Sequence, residues 1–536
     1  MKTFLLLLVA TSIAMSQGLV QDWPTYSGDY SGKRYSSLTQ VNQSNVKNLT
    51  LAWVARFTNG SGSAGRGPAA IVGGEGTTEA TGATTIKGSI LEVEGILYLS
   101  TPDNAWAADA LDGHILWHYV WKTKGGTHIG NRGLGMWRNW LYMETPDDYL
   151  VCLDAKTGKE KWHVEIADFN QQYFSTMAPI VVGDHVLAGT GDDLDAPGFL
   201  QSFDPETGKR QWKWYAVPVE KGDPGLETWA NLDAARHGGG QIWVPGVYDP
   251  ETHLYITGTG NPTPAYTSQT RGPGDNLYTC SLVAIDVNTG KMKWYYQTSR
   301  HDTHDWDSAQ TPVLVDGTFN GKPRKMVLTA ARNGYYFTLD RLTGEHLVSS
   351  KYSETTNWAK PALDKRGGPV RDPEKDFHIG GSLVSPANGG VTNWPPPAFS
   401  PDTGLFYVPQ TDSYAMYYLT ETDPRGAMGL GGKDEVGLGT MGSYLTAIDY
   451  KTGKVAWRHR YPTSGGDLNG LLTTAGKLLF AGDPSGNFVA FDPTNGKPLW
   501  HTRLGQVSNA PETYMLDGHQ YVLIAAGDSL YAFTLY

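Results

Sequence analysis

Short, largely apolar stretches alternate with glycine-containing turns along most of this chain. In one such stretch, Tyr149, Val151 and Leu153 occupy alternate positions, which places them on one face of a β-strand. An aspartate then opens a tight turn through its side-chain hydrogen bonds, and a glycine four positions later supplies a left-handed backbone. The pattern predicts a repeated β-hairpin and therefore an all-β protein.

The hairpin has a recurring signature of Asp, Gly four positions on, and usually Trp four positions further. Six copies are complete: Asp109-Gly113-Trp117, Asp154-Gly158-Trp162, Asp204-Gly208-Trp212, Asp286-Gly290-Trp294, Asp449-Gly453-Trp457 and Asp492-Gly496-Trp500. A seventh copy, Asp340-Gly344, has Val348 at the Trp position. One hairpin leaves its apolar face open until the next copy covers it, as in the blades of a propeller. We therefore assign structural roles to the Asp and Trp residues of the motif.

The spacing of the motifs predicts an eight-bladed β-propeller. Three intervals of 45, 50 and 43 residues fit a four-stranded blade. The intervals Asp204–Asp286 and Asp340–Asp449 are longer, and we expect extra loops in both and a blade without the motif in the second. Residues 17–536 would then form a single domain, with a strand near residues 531–536 pairing with an N-terminal strand to close the ring.

Composition and charge narrow the partners of the protein. The chain has 65 Gly, 18 Trp and 29 Tyr but only 18% charged residues, which suits a sheet-rich protein. A net charge of −11 without a Lys/Arg cluster argues against nucleic acid or an anionic membrane surface as partner. The two cysteines, Cys152 and Cys280, lie in different repeats, so we interpret them as buried thiols rather than a disulfide.

The N-terminus has the pattern of an export signal. Lys2 precedes an apolar stretch at residues 4–10, and the small residues Ala14 and Ser16 follow, so cleavage near residue 16 is expected. A buried first strand or a membrane anchor is the alternative, but the apolar stretch is too short to span a bilayer. We expect a periplasmic or secreted protein without a membrane span.

The densest polar cluster of the chain is the segment His301-Asp302-Thr303-His304-Asp305-Trp306-Asp307. It follows the strand after Trp294, at a blade end, where propellers hold functional loops. Three interpretations are open: a solvated turn rich in side-chain hydrogen bonds, a zinc site using His301 and His304 without nearby cysteines, or a catalytic loop.

The hairpin motif is similar to the tryptophan-docking motif of the PQQ-dependent (pyrroloquinoline quinone-dependent) methanol and ethanol dehydrogenases. The segment at residues 22–30, DWPTYSGDY, resembles the mature N-terminus of that family. Further matches follow in the order of the family: Asn131-Arg132-Gly133, Gly258-Thr259-Gly260-Asn261-Pro262, Gly274-Asp275-Asn276, Arg332-Asn333-Gly334 and Pro401-Asp402-Thr403-Gly404-Leu405. The resemblance covers nearly the whole mature chain. It implies oxidation of a primary alcohol by hydride transfer to PQQ.

The resemblance implies that Asp305 is the catalytic base. Hydride transfer needs a base for the hydroxyl proton and a quinone carbonyl that a hard, oxygen-ligated cation polarises. The metal ligands implied by the resemblance are Asp193, Asn261, Asp305 and Asp307. Asp307 matches an extra carboxylate of lanthanide-dependent members, which favours a lanthanide, with calcium as the alternative. In an extended segment, Asp305 and Asp307 would point to the same side and reach one ion.

The implied cofactor contacts are spread over the chain. Trp243 matches the tryptophan that lies under the quinone, and Arg332 matches the arginine that binds the quinone oxygens. Residues matching contacts to the PQQ carboxylates or edge atoms are Arg132, Thr176, Thr190 and Asn393. The alternative for each of these residues is a structural or surface role.

Several positions depart from the family pattern. Gly126 and Thr127 replace adjacent cysteines, Lys87 lies near an expected glutamate, Asp193 replaces a glutamate, and Leu468-Asn469-Gly470 replaces a Trp-Gly-Gly pattern. No Cys-x-x-Cys-His motif is present, so electrons would pass to a separate acceptor protein, for which a c-type cytochrome is expected. A cofactor-free propeller that serves as a binding or assembly scaffold is the alternative function.

Overall fold

The computed structural model describes residues 22–59, 82–83, 85–124, 130–191, 193–421, 430–465 and 469–536. The predicted export signal at residues 1–16 lies outside these ranges, as do Gly126, Thr127 and Leu468. Regular structure is almost entirely β-strand, which confirms the all-β class. The helices within the described ranges are short: α-helix Leu232–Arg236 and 3₁₀ helices Val46–Asn48, Phe169–Gln171, Leu226–Thr228 and Pro373–Lys375. None of these helices is long and apolar enough to cross a bilayer.

The described strands form eight sheets of four or five strands, numbered here along the chain. Sheet 1 comprises Leu91–Val93, Ile96–Thr101, Asn104–Asp109 and Ile115–Val120, and sheet 2 comprises Gly135–Trp137, Trp140–Glu144, Tyr149–Asp154 and Glu160–Glu165. Sheet 3 comprises Ile180–Val182, His185–Ala188, Phe199–Phe203 and Arg210–Tyr215. Sheet 4 comprises Val247–Asp249, Leu254–Gly258, Ser281–Asp286 and Lys291–Gln297. Sheets 5 and 6 comprise Val313–Phe319, Lys322–Ala330, Tyr335–Asp340 and His346–Lys351; and Ser382–Val384, Ala398–Ser400, Leu405–Leu419, Lys433–Asp449 and Val455–Arg460. Sheets 7 and 8 comprise Tyr35–Ser36, Leu472–Thr474, Leu478–Gly482, Asn487–Phe491 and Pro498–Arg503; and Thr50–Arg56, Glu512–Leu516, His519–Ala526 and Ser529–Thr534. Two-stranded ribbons join Thr58–Asn59 to Gly82–Ala83 and Ala359–Leu363 to Pro369–Arg371.

Buried apolar clusters join each sheet to the next around the molecule. A further cluster joins sheet 8 to sheet 1 through Trp53, Trp106 and Tyr514. Sheet 8 combines both ends of the chain, because Thr50–Arg56 pairs antiparallel with Ser529–Thr534. This pairing confirms the predicted closure by the C-terminal strand.

The motif residues dock each sheet onto its neighbour. The Trp117 indole lies against Gly158 of the next motif, and its Nε1 donates to the Ala155 carbonyl at 2.9 Å. The Asp154 side chain accepts the Thr157 N–H at 2.8 Å, and Gly158 has a φ of +66°. The other indole-to-carbonyl bonds of this kind are Trp162 to Glu206, Trp212 to Val287, Trp294 to Arg341 and Trp457 to Pro493. The structural interpretation of the motif is therefore confirmed.

The described residues of the long interval Asp340–Asp449, which are 340–421 and 430–449, do not contain the predicted blade without a motif. It contains the ribbon Ala359–Leu363 with Pro369–Arg371 and the extended hairpin Leu405–Leu419 with Lys433–Asp449, which belongs to sheet 6. The sheet without the motif is sheet 8, because its strands come from the two ends of the chain. Cys152 and Cys280 are both buried and free, as predicted.

All predicted site residues lie at one edge of the sheets. In an antiparallel sheet, the second-to-third turn and the connection from the fourth strand to the next sheet lie at the same edge. Arg132, Thr176, Asp305 and Asp307 lie on connections between sheets, and Arg332 follows the second strand of sheet 5. The Asp–Gly turns of the docking motif lie at the opposite edge.

Candidate active site

The segment around Asp305 is an irregular buried loop held by Asp302. The Asp302 Oδ2 atom accepts the backbone N–H groups of His304, Asp305 and Trp306 at 3.1, 2.8 and 3.2 Å. Asp305 has a φ of +66°, so the expectation of an extended segment is wrong. The role of Asp302 was missed from the sequence, although an Asp side chain commonly accepts the backbone N–H groups of the residues that follow it.

Asp305 has one engaged and one open carboxylate oxygen. Its Oδ2 lies 3.4 Å from the Tyr266 hydroxyl and 3.5 Å from Arg332 Nη2. Its buried Oδ1 has no hydrogen-bond partner among the described residues. Burial raises the pKa of Asp305 to about 6, and the Arg332 and Lys433 cations act in the opposite direction. A buried carboxyl group with a raised pKa and an open oxygen is suited to accept a proton.

Asp307 is enclosed by Arg332 and Asn261. Arg332 Nη1 donates to Asp307 Oδ2 at 2.6 Å, and the Asn261 backbone N–H donates to Asp307 Oδ1. Asp305 and Asp307 therefore converge on one guanidinium, even though they do not alternate along a strand. Arg332 also donates to the Asn388 carbonyl at 2.7 Å.

The two histidines of the loop do not form a zinc site in this structure. His301 Nδ1 contacts the Gly274 carbonyl at 2.6 Å, and His304 Nε2 contacts the Lys375 carbonyl at 2.8 Å. Burial lowers the pKa of both imidazoles to about 4. The His304 ring also stacks on Trp306, with ring centroids 4.3 Å apart. Both side chains fix the loop to its surroundings.

The predicted metal ligands are buried oxygen donors on three segments. Asp193 follows the second strand of sheet 3 with a φ of +58°, and Asn261 follows the second strand of sheet 4. Burial, the Asp305 carboxylate and the Asp193 carboxylate raise the pKa of Tyr266 well above its usual value.

Asp193, Asp305 and Asp307 do not converge as closely as the ligands of a compact metal centre. In the described parts of the chain, the acidic and histidine groups whose ligand atoms all lie within 4.8 Å of one another are Asp109, Asp112 and His114. That group lies at a docking turn, at the edge opposite the site.

The predicted cofactor residues surround a flat, buried indole. The Arg132 guanidinium carbon lies 4.3 Å from the Trp243 ring centroid and 5.0 Å from that of Trp394. Arg132 Nη1 donates to the Thr176 carbonyl at 3.1 Å, and the buried Thr176 hydroxyl has no hydrogen-bond partner in the described structure. The sequence did not identify Trp394.

Thr190 and Asn393 are engaged in local contacts. Thr190 Oγ1 donates to Gln241 Oε1 at 2.5 Å. Asn393 Oδ1 accepts the Trp394 N–H at 2.8 Å, and its Nδ2 donates to the Gly389 carbonyl at 3.1 Å. Asn393 therefore fixes the backbone at Trp394.

An aromatic roof that the sequence did not predict begins at Tyr266, whose hydroxyl contacts Asp305. Tyr266 stacks on Phe377 with ring centroids 5.1 Å apart, and Phe377 stacks on Tyr417 at 4.4 Å. The Lys433 ammonium lies 4.3 Å from the Tyr266 ring centroid and 3.1 Å from Glu435. These residues, apart from Tyr266, come from the long interval between Asp340 and Asp449.

Two protein-family models match this chain, one over its N-terminal and central part and the other near its C-terminus. A family model described as "Glucose/ethanol/alcohol dehydrogenase, beta-propeller domain" matches residues 23–357. A second model, described as "Outer membrane protein assembly factor BamB", matches residues 441–535.

Individual relatives match nearly the whole chain. Quinohemoprotein alcohol dehydrogenase ADH IIB of Pseudomonas putida is 33% identical over 94% of this chain and 73% of its own. Quinoprotein alcohol dehydrogenase PedH of Pseudomonas putida is also 33% identical, over 92% of this chain and 84% of its own. The structure of a europium-containing methanol dehydrogenase superposes with a TM-score of 0.83 at 28% identity, covering 96% of this chain and 98% of that chain. These similarities confirm the predicted β-propeller fold.

Proposed function

This chain belongs to the family of PQQ-dependent alcohol dehydrogenases, and we propose that Asp305 is its catalytic base. The protein is an oxidoreductase that oxidises an alcohol with PQQ. The observation that carries the assignment of the base is the buried Asp305 Oδ1, which has no hydrogen-bond partner among the described residues. The alternative of a cofactor-free scaffold is not favoured, because the relatives matched over most of the chain are named alcohol dehydrogenases.

The residues around Trp243 fit PQQ, a flat molecule with three carboxylates. Trp243 offers a buried indole face for stacking. Arg132 and Arg332 offer guanidinium groups suited to carboxylate and quinone oxygens. The buried Thr176 hydroxyl is a donor without a protein partner in the described structure. Thr190 and Asn393 are proposed to complete the edge of this pocket.

The buried oxygen donors match a hard cation in chemical type, and binding one would draw Asp193, Asp305 and Asp307 closer together than they lie here. We propose Asp193, Asn261 and Asp305 as its oxygen ligands, because all three are buried and two are acidic. Asp307 is proposed as a fourth ligand, which requires its Oδ2 to leave Arg332. A third carboxylate would favour a lanthanide over calcium by its added negative charge.

The mechanism assigns separate tasks to the residues of the site. PQQ held by Trp243, Arg132 and Arg332 would supply an electrophilic carbonyl as hydride acceptor, and a cation held by Asp193, Asn261 and Asp305 would supply the charge that polarises it. The Asp305 Oδ1 atom accepts the hydroxyl proton of the alcohol. Arg332, once released from Asp307, stays beside Asp305, and the aromatic roof excludes water from the proton-transfer step.

Further proposals concern the whole protein. We propose that the eight sheets are the blades of one propeller domain spanning residues 17–536. Export to the periplasm or the medium is supported by the pattern at residues 2–16. We propose that the electrons pass to a separate acceptor protein, a c-type cytochrome.

The test is the variant Asp305→Asn, assayed with PQQ, ethanol, a dye acceptor, and either lanthanum or calcium. The amide keeps the size of the side chain but cannot accept the proton, so we expect a roughly 10²- to 10⁴-fold loss of kcat with PQQ still bound. Asp184→Asn is the control, because Asp184 is exposed. Near wild-type turnover of Asp305→Asn would remove this residue from the mechanism. A wild-type chain that binds no PQQ with either ion would support the scaffold.

A further inference from the structure

Of the two carboxylate oxygens of Asp305, Oδ2 is hydrogen-bonded and Oδ1 has no hydrogen-bond partner among the described residues. Some neighbouring group must therefore hold the carboxylate in this orientation. Arg332 cannot by itself fix the carboxylate, because its shorter contacts are to Asp307 at 2.6 Å and to the Asn388 carbonyl at 2.7 Å. Its approach to Asp305 is 3.5 Å. The hydrogen-bond donor on Asp305 Oδ2 is the Tyr266 hydroxyl, at 3.4 Å.

The position of the Tyr266 phenol is fixed on several sides. The side chain is 3% exposed, and its ring is stacked on Phe377 and lies beneath the Lys433 ammonium. Its backbone N–H donates to the Leu430 carbonyl at 3.1 Å. A donor held this firmly selects one rotamer of the carboxylate that it binds.

We propose that Tyr266 is a positioning residue that holds Asp305 Oδ2, so that Oδ1 is the oxygen presented to the alcohol. This inference rests on the proposed role of Asp305 as the base. A neutral phenol orients the carboxylate with a weaker hydrogen bond than a cation would make, and therefore leaves more of its basicity. The long interval after Asp340 supplies Phe377 and Lys433, so this inserted segment positions the base through Tyr266.

The variant Tyr266→Phe removes the hydroxyl and keeps the ring for its contacts with Phe377 and Lys433. We expect kcat to fall roughly 10- to 100-fold, because a misplaced base lowers the fraction of reactive geometries. KM for ethanol, the Kd for PQQ and the Tm should each stay close to the wild-type values. The primary isotope effect with 1,1-dideuterated ethanol should increase, because the chemical step then limits the rate more strongly.

Tyr296→Phe is the control, because it removes a buried phenol from the strand Lys291–Gln297 of sheet 4, outside the aromatic roof, that makes no hydrogen bond to Asp305 in the described structure. It should keep wild-type kcat and isotope effect. The proposal is overturned if Tyr266→Phe turns over within twofold of wild type. A parallel loss of Tm and PQQ affinity would also overturn it, since that indicates a purely structural role. An inactive wild type would refute the proposed function itself, and the role of Tyr266 with it.

Discussion

Asp307 is the most enclosed carboxylate of the site loop, with no solvent exposure of its side chain. Its Oδ2 accepts from Arg332 and its Oδ1 from the backbone of Asn261. Two roles are compatible with this position: an anchor for Arg332, or a metal ligand once Arg332 has moved to the cofactor. The two roles differ in how strongly they depend on the charge of the metal ion.

Asp307→Ala should lower lanthanum-supported activity more than calcium-supported activity. Loss of one of three carboxylates removes a unit of negative charge, whose attraction matters more for a trivalent ion in a partly buried site. Titrations of wild type and variant with lanthanum and calcium, in the presence of PQQ, measure the difference. Equal loss for both ions, or no loss for either, would show that Asp307 is an anchor for Arg332 rather than a selective ligand.

Sequence reasoning identified the site residues that lie in recognisable motifs. Arg332 within Arg-Asn-Gly and Asp305 within the acidic loop could be assigned in this way, and the structure brings the two residues into contact. Tyr266 and Lys433 could not be predicted. Their meeting depends on the path of an irregular segment, and such a path leaves no periodic signal in the sequence.

At the scale of the element, the docking hairpin depends on a glycine in a left-handed conformation beside an indole. A Cβ atom added to Gly344, at a φ of +72°, would lie 2.7 Å from Cε3 of Trp294. Gly321 lies in a turn of the same sheet with a φ of +76°, but no atom is within 4 Å of an added Cβ. The two glycines therefore share the backbone requirement and differ in the docking contact.

Gly344→Ala should destabilise the fold more than Gly321→Ala. Both variants lose about 1–2 kcal/mol because alanine disfavours the left-handed region. Gly344→Ala should lose about 1–3 kcal/mol more, because the Trp294 indole must shift. Urea denaturation of both variants measures the difference, and activity should be retained because both turns are far from the site edge. Equal destabilisation would mean that the indole contact contributes nothing.

The repeat predicted the docking elements but not the arrangement of the remaining chain. Seven motifs correspond to sheets 1 to 7 in order, because each motif is a local hairpin whose residues follow one another. The position of the eighth sheet was predicted wrongly. A long interval and a pair of chain ends are equally plausible sources of an extra sheet, and only long-range pairing, as between Thr50–Arg56 and Ser529–Thr534, distinguishes them.

At the scale of the whole molecule, a buried ion pair lies where the N-terminal segment meets the last sheets. The Arg34 guanidinium donates to the carbonyls of Tyr26, Leu471 and Pro511 and lies 3.7 Å from Glu512 Oε1. Glu512 Oε1 also accepts the Ser89 hydroxyl at 2.6 Å. These contacts join the N-terminal segment to sheets 7 and 8, where the ring closes.

Glu512 should make the stability of the closed ring depend on pH. Burial raises its pKa to about 7, while Arg34 acts in the opposite direction. A carboxyl group with a raised folded-state pKa contributes stability that is fully present below its unfolded pKa, near 4.5, and is lost as the pH rises through 7.

The free energy of unfolding of the wild type should fall between pH 5 and pH 8. In Glu512→Gln this fall should be smaller, by up to a few kcal/mol. The amide oxygen can still accept from Ser89, so the variant should remain folded. Urea denaturation at both pH values measures the effect. Asp528→Asn, which alters the surface pair of half-buried Asp528 with exposed Arg56, is the control and should follow the wild type. If Glu512→Gln loses as much stability as the wild type over this range, the pH dependence arises from other buried carboxyl groups and not from the closure of the ring.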